Sequence, residues 1–282
     1  MPRPSPPPTP AERAVAHVAG RARGEPVDPT WPVTLHFHPD RPAAGVPLLR
    51  AMAADGRYRS QFETGTGNGG LTAHPGGDRW RWESRLFGGA YDHAPPAARP
   101  VHGSLNHGRH PVGASPRFGS AHLRLRPHVL ARSTACFPDS AEDPVAVGTA
   151  ERFGLVRERW AAAGVRDPLD DYVEVHVHGG VRFADDVEAL VLDPCYRGTD
   201  VEADAARLGV PVEWHPGFTT TVRTLAEHPD YRGPHVVEAA ARIAADGVLT
   251  PRVVGDAARA GHEDEQVLKR VWHCTARFGR PA

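Results

Sequence analysis

The clearest hydrophobic pattern in the chain runs from residue 171 to residue 182, Asp-Tyr-Val-Glu-Val-His-Val-His-Gly-Gly-Val-Arg. Val173, Val175 and Val177 alternate with Tyr172, Glu174, His176 and His178. Successive side chains on a strand point to opposite faces, so the valines enter a core and the polar set lines the other face. A carboxylate between a tyrosine and two histidines is costly to bury without partners, which leaves it either exposed or used. Glu174 is therefore the leading catalytic candidate.

The same alternation predicts a strand over 33–38, with Val33, Leu35 and Phe37 on one face and Thr34, His36 and His38 on the other. It predicts another over 120–127, where Ala121, Leu123 and Leu125 oppose His122, Arg124 and Arg126. Apolar runs add strands over 131–137, 187–192 and 210–214. Thr9 followed by Pro10 reads as the cap and first position of a helix reaching about residue 21. Further helices are expected over 47–54, 150–163 and 201–208. The last third reads as three helices, 234–246, 251–260 and 263–276, with Val267, Leu268, Val271 and Trp272 at helical spacing. Residues 58–70 read as a glycine-rich loop. Residues 76–91 read as a turn and short helix with its aromatics against the sheet, and 95–117 as a long surface loop.

This order is not a βαβ alternation. It implies an α+β fold with mixed, mainly antiparallel sheets and a helical C-terminal part. The expected division is a flexible Pro-rich tail with an N-terminal helix (1–30), a catalytic-like α+β domain (31–218) and a helical segment packed on it (219–282).

At 282 residues the chain can bury a real core. Its formal net charge of −1 gives no global attraction to nucleic acid or to an anionic membrane. No apolar run approaches the roughly 18 residues of a membrane span. The Pro-rich N-terminus lacks the apolar core of a secretory signal. Cys136, Cys195 and Cys274 form no CxxC pair, so a reducing cytoplasm is the default, with specialised export left open. The 17 histidines exceed what packing needs, so metal binding has to be considered.

Four constellations can carry chemistry, each with a plainer counterpart. His36-x-His38 and His176-x-His178 could share a metal or face a cleft, with Asp40, Asp171 and His215 able to join; otherwise they are ordinary strand histidines. Thr64-Gly65-Thr66-Gly67-Asn68 can hold a phosphate or ribose, or be a flexible turn. Arg117-Phe118-Gly119-Ser120 can pair with a phosphate, or be a surface turn. Gly76 to Glu83 sets Trp80 and Trp82 beside Arg79 and Arg81, which suits base stacking or, more simply, core packing.

Together the blocks Leu35-His36-Phe37-His38-Pro39-Asp40-Arg41, Ser60 to Thr66, Leu86 to Tyr91, Pro116 to Ser120, Tyr172-Val173-Glu174-Val175 and Val271-Trp272-His273 resemble an uncharacterised bacterial domain-of-unknown-function family. More distantly, the order His38, Thr64/Thr66, Glu174 resembles the ADP-ribosyltransferase superfamily. That resemblance implies a split-sheet fold and NAD as substrate, with no metal expected. It implies Glu174 and His38 in catalysis, and His36, Thr64, Gly65, Thr66, Asn68, Arg117, Ser120 and Tyr172 around the dinucleotide. The sequence departs from that superfamily at three places. Thr64-Gly65-Thr66 has glycine where Ser-Thr-Ser is usual, Tyr172 stands where arginine-directed transferases carry Glu or Gln, and His102 stands where a tyrosine is expected.

Two other readings stand beside an NAD-consuming enzyme with an unidentified acceptor. One is a metal-dependent hydrolase using His36, His38, His176 and His178. The other is a non-catalytic module that binds through 95–117 and the C-terminal helices.

Overall fold

The computed structural model describes residues 6–65, 73–162, 164 and 166–279. Thr66 and Asn68 lie outside them. Eight strands make one sheet: β1 Val33–Phe37, β2 Val101–Leu105, β3 Ala121–Leu125, β4 Ser133–Phe137, β5 Ala146–Thr149, β6 Glu174–Val177, β7 Val187–Leu192 and β8 Val212–Trp214. Their spatial order is β8-β7-β3-β1-β2-β6-β4-β5. Every neighbouring pair is antiparallel except β7 and β8, which are parallel. The fold is α+β around a mixed, mainly antiparallel sheet.

Alternation on these strands divides the sheet into two unlike faces. Leu35, Leu105, Leu123, Leu125, Val173, Val175, Val177, Leu190 and Leu192 belong to one buried apolar cluster. Helices α1 (Pro10–Arg21), α2 (Leu48–Asp55), α3 (Asp78–Leu86) and α4 (Leu155–Ala161) surround the sheet. α2 and α4 close the apolar cluster through Leu49, Met52, Leu155 and Val156. The other face carries Thr34, His36, Ser104, His122, Thr134, Glu174 and His176, and all of these are buried too. Part of its cover is a second cluster, in which Ala14 and Val18 of α1 join Leu86, Phe87 and Tyr91 around Cys136.

The C-terminal helices are α5 (Pro234–Ile243), α6 (Pro251–Ala260) and α7 (Glu265–Phe278). They build a core of their own from Val236, Leu249, Val254, Leu268, Val271 and Trp272. Trp272 Nε1–H donates to the carbonyl oxygen of Pro116 at 3.0 Å, tying this core to the segment before β3. No described helix is long and apolar enough to cross a membrane.

Thr9 caps α1 with a reciprocal capping box to Glu12, and Pro10 takes the first helical position, as the residue types require. Three expectations fail. Residues 61–64 of the expected loop 58–70 form the short helix Gln61–Thr64, which Ser60 and Glu63 cap reciprocally. The span 95–117 is not one surface loop, because Val101–Leu105 is a central strand. Its glycine is the physical reason: a Cβ at Gly103 would lie 2.5 Å from Leu35 Cδ2, so only glycine lets β1 and β2 come together here. A helix over 150–163 begins late, at Leu155, because Arg152 bridges back to Thr149 and the Phe153 and Gly154 N–H groups donate to the Glu25 and Arg23 carbonyl oxygens instead.

Candidate functional site

Strand register assembles the site. Ser104, Glu174 and Cys136 stand in one row across β2, β6 and β4, and His102, His176 and Thr134 stand in the next. A period of two puts both rows on the polar face.

Glu174 Oε1 accepts a hydrogen bond from His102 Nδ1 at 2.6 Å. Ser140 supplies two more, from its backbone N–H to Oε2 at 2.6 Å and from its hydroxyl to Oε1 at 3.2 Å. On its other side, His102 Nε2 reaches Glu83 Oε1 of α3 at 2.9 Å. The Arg99 guanidinium grips the second Glu83 oxygen at 2.7 Å, and these two side chains are only 3% and 1% exposed. His102 thus lies between two carboxylates, and both ring nitrogens donate only in the imidazolium form. Arg79 Nη1 also comes within 3.0 Å of Nδ1. With that N–H committed to Glu174, this is an approach of two cations rather than a hydrogen bond.

The electrostatics follow from this geometry. Burial pushes the Glu174 carboxyl up, but hydrogen bonds and charge from His102 and His176 outweigh it and hold the group well below the usual carboxylate range. Burial and Arg79 both oppose protonation of His102, yet its bonds to Glu174 and Glu83 raise it above the ordinary imidazole value. Asp139 is raised by burial and then by Glu174, and accepts from Tyr172 Oη–H at 2.6 Å. Burial lifts the Cys136 thiol well above its ordinary value, with Glu174 adding to the effect. Its sulfur lies 3.8 Å from Glu174 Oε2 and 4.0 Å from His176 Nε2.

A second chain of hydrogen bonds leads to His176, which faces the same carboxylate. Tyr91 Oη is 2.7 Å from His178 Nδ1, and His178 Nε2 is 3.0 Å from Thr134 Oγ1. Thr134 Oγ1 is 3.2 Å from His176 Nδ1, and His176 Nε2 faces Glu174 Oε1 at 3.6 Å. Burial, then the neighbouring charges of His176, His102 and Arg132, hold His178 neutral with a pKa of about 3. A neutral imidazole has one donor and one acceptor, so the chain is directional. When Tyr91 donates, each link passes on a proton and His176 Nε2–H points at Glu174. When every link reverses, His176 Nε2 presents a lone pair instead. Phe87 stands edge-on to both His176 and His178 and fixes the ring planes.

The family model described as a protein of unknown function, DUF3626, matches residues 32–163 and 155–277. The chain belongs to that family. No curated protein matches it.

In this DUF3626 chain the residues singled out from sequence fall in separate places. Glu174 and His176 share the cluster, and His178 stands behind them. His36 lies further along the polar face, stacked on His122 with ring centroids 5.1 Å apart. Ser115 N–H donates to its Nε2 at 3.3 Å, and its Nδ1 lies 3.1 Å from the Gly119 carbonyl oxygen. The His38 ring packs edge-on to Trp272. Tyr172 bonds Asp139 rather than Glu174. Arg117 pairs with Asp170. Ser120 is buried, and its carbonyl oxygen accepts from His215 Nε2 at 2.7 Å. Thr64 ends the short helix Gln61–Thr64, and Gly65 caps it in a left-handed conformation, φ 64°. A cleft of about 550 Å³ lies elsewhere, bordered by Asp40, Arg50, Asp204, Arg252, Asp256 and Arg259.

Sequence reasoning missed Glu83, Arg99, Thr134, Cys136 and Ser140, and named His102 only as a departure from a pattern. A signal existed for two of them. Val-His-Gly-Ser-Leu at 101–105 alternates like a strand and puts His102 on its polar face. Glu83 closes the Trp-Arg stretch singled out for its tryptophans, and the buried positions of α3 are Arg79, Glu83 and Leu86.

Proposed function

We propose that the chain is an NAD-consuming, ADP-ribosyltransferase-like enzyme that transfers ADP-ribose to an unidentified acceptor or hydrolyses NAD, with Glu174 as its catalytic carboxylate. The observation that carries this reading is a buried carboxylate held by three hydrogen bonds on an interior strand of the sheet. It stands on the polar face with His36 and His102, on three consecutive strands, β1, β2 and β6. The likeness to that superfamily rests on the order His38, Thr64/Thr66, Glu174 along the sequence, and a reducing cytoplasm on three free cysteines.

Breaking the nicotinamide–ribose bond gives an oxocarbenium-like transition state, as in glycoside cleavage. An oriented carboxylate beside the anomeric carbon stabilises that charge. Ser140 orients Glu174, while His102, fixed by the Glu83–Arg99 pair, neutralises it and has to separate from it before it acts. In this reading His36 holds the nicotinamide ribose. Because Glu174 is only 6% exposed, the reading also requires the cover made by α3 and the Ser140 turn to move aside for the ribose.

The test is nicotinamide release from NAD by purified protein, wild type beside Glu174→Gln. The expected result is release that falls by at least about 100-fold in the variant, the scale of losing one transition-state contact. A folded Glu174→Gln variant that turns NAD over at the wild-type rate would sink the reading.

A further inference from the structure

The histidines around Glu174 are oriented from behind in a way that proton transfer alone does not require. We infer that His102 Nδ1, His176 Nε2, Cys136 Sγ and a Glu174 oxygen form a site for a single divalent transition-metal ion of the zinc class. This goes beyond the NAD reading and stands independently of it.

Two observations carry the inference. First, the donors converge. His102, Glu174 and His176 each offer a ligand atom, all within 4.8 Å of one another. A tetrahedral ion with bonds of about 2.0 Å to nitrogen or oxygen and about 2.3 Å to sulfur sets its donors roughly 3.3–3.6 Å apart. The distances here bracket that span: 2.6 Å from His102 and 3.6 Å from His176 to Glu174 Oε1, 3.8 Å from Cys136 to Glu174 Oε2 and 4.0 Å from Cys136 to His176. Cys136 stands outside the group that the other three form and has to turn inward to complete the set.

Second, each histidine has its other nitrogen fixed by a hydrogen bond, which is how ligating histidines are oriented. His102 Nε2–H is held by Glu83, itself clamped by Arg99. His176 Nδ1 is held by Thr134, and the Tyr91–His178–Thr134 chain can run in the direction that gives Nε2 its lone pair. Ser140 orients the carboxylate in the same manner.

On binding, the proton between His102 and Glu174 and the thiol proton of Cys136 leave as a doubly charged ion enters, so the charges balance. The Arg79 guanidinium, 3.0 Å from His102 Nδ1, has to turn away when the ion arrives. Two nitrogens, a thiolate and one carboxylate oxygen suit zinc or cobalt(II) better than magnesium or calcium, which prefer all-oxygen shells.

The test is metal content of full-length protein after equilibration with zinc and removal of free ion, read by mass spectrometry. Cobalt(II) loading is read in parallel by absorption. Wild type is expected to hold one equivalent and, with cobalt, to show a near-ultraviolet thiolate-to-metal band. Cys136→Ser should lose that band, and Cys136→Ser with His176→Gln should bind at least about 100-fold more weakly. His122→Gln, a buried histidine outside the cluster, should bind as wild type does. The wild-type cobalt spectrum keeps the inference falsifiable even where a variant fails to fold. Wild type without bound ion, or with cobalt but no thiolate band, overturns it, whatever the NAD assay shows.

Discussion

Replacing Glu83 by glutamine probes the most deeply buried part of the network. The substitution keeps the side-chain shape and removes one negative charge. Two cationic partners lean on that charge: Arg99 at 2.7 Å, with 3% of its side chain exposed, and His102 at 2.9 Å, with 8% exposed. Breaking a buried pair by neutralising one partner costs about 3–5 kcal/mol, because the other charge is left in a low-dielectric site. At about 2–4 °C per kcal/mol for a chain of this size class, the melting temperature should fall by roughly 6–20 °C. The same change removes one of the two carboxylates that keep His102 protonated, so its titration should move down in pH. Thermal unfolding measures the first effect. NMR observation of the imidazole signals measures the second. The sign for stability is fixed by linkage: a histidine raised in the folded state stabilises below its unfolded value of about 6.5, and that stabilisation is lost as pH rises through the folded value. Wild type should therefore lose the His102 contribution above about pH 6.5, and Glu83→Gln should show less of that loss. A Glu83→Gln protein that melts within about 2 °C of wild type, with His102 titrating unchanged, would refute the charge-network reasoning.

Other consequences follow from packing and protonation. Burial comes first among the causes that hold His36 near a pKa of about 4 and His38, His178 and His273 near about 3. Each is lowered on folding, so below about pH 6.5 the unfolded chain binds more protons and stability falls by about 1.4 kcal/mol per pH unit per group. Four such groups make the protein acid-labile, and a melting temperature that stays flat between about pH 7 and pH 5 would contradict this. Gly103→Ala would place a methyl 2.5 Å from Leu35 Cδ2 and 2.8 Å from the Thr34 carbonyl oxygen; overpacking of this kind costs about 1–3 kcal/mol in a denaturant titration. Gly255→Ala drives a Cβ into the Asp40 carboxylate, which pairs with Arg259 at 3.1 Å. Amide exchange should quicken in α6 while β6 keeps its protection; equal exchange throughout would show that Asp40 does not hold that helix in place.

The fold was legible wherever a strand alternates cleanly. Residues 33–37, 121–125 and 174–177 each carry three or more apolar positions or a strict two-residue period, and each is a strand of the central sheet. The strand at 101–105 was hidden because Gly103 breaks its apolar face and prolines, glycines and histidines surround it. The site was half legible for a related reason. Glu174 announces itself by lying among valines, whereas Glu83 and Arg99 look like surface charges until the sheet register brings His102 against Glu83. Register is a long-range property: Ser104 opposite Glu174 and Cys136 beside it join residues from distant parts of the chain. Spacing along the sequence carries none of that information. The same limit separated His36 and His38 from His176 and His178, since residues alike in pattern met different partners once the cover segments were in place.

A buried charge network is weak evidence for stability, because well-packed apolar side chains of the same volume serve as well or better. Here Arg99, Glu83, His102 and Ser140 are committed, directly or through one another, to the Glu174 carboxylate, and a second chain from Tyr91 through His178, Thr134 and His176 leads toward the same point. Apolar replacements were physically available: Leu86 and Phe87 already pack beside the network. What charge supplies and packing cannot is a Glu174 that is ionised and oriented but masked. While His102 stays protonated at 2.6 Å, the carboxylate is neutralised and has little attraction left for an oxocarbenium or an ion. Both the NAD reading and the metal reading therefore share one first step, separation of the His102–Glu174 pair. The Arg99–Glu83 clamp sets its cost, by deciding how readily His102 gives up its proton or turns away. Loosening that clamp should destabilise the fold and unmask Glu174 together, so a Glu83 variant that is less stable yet binds zinc faster would link the two.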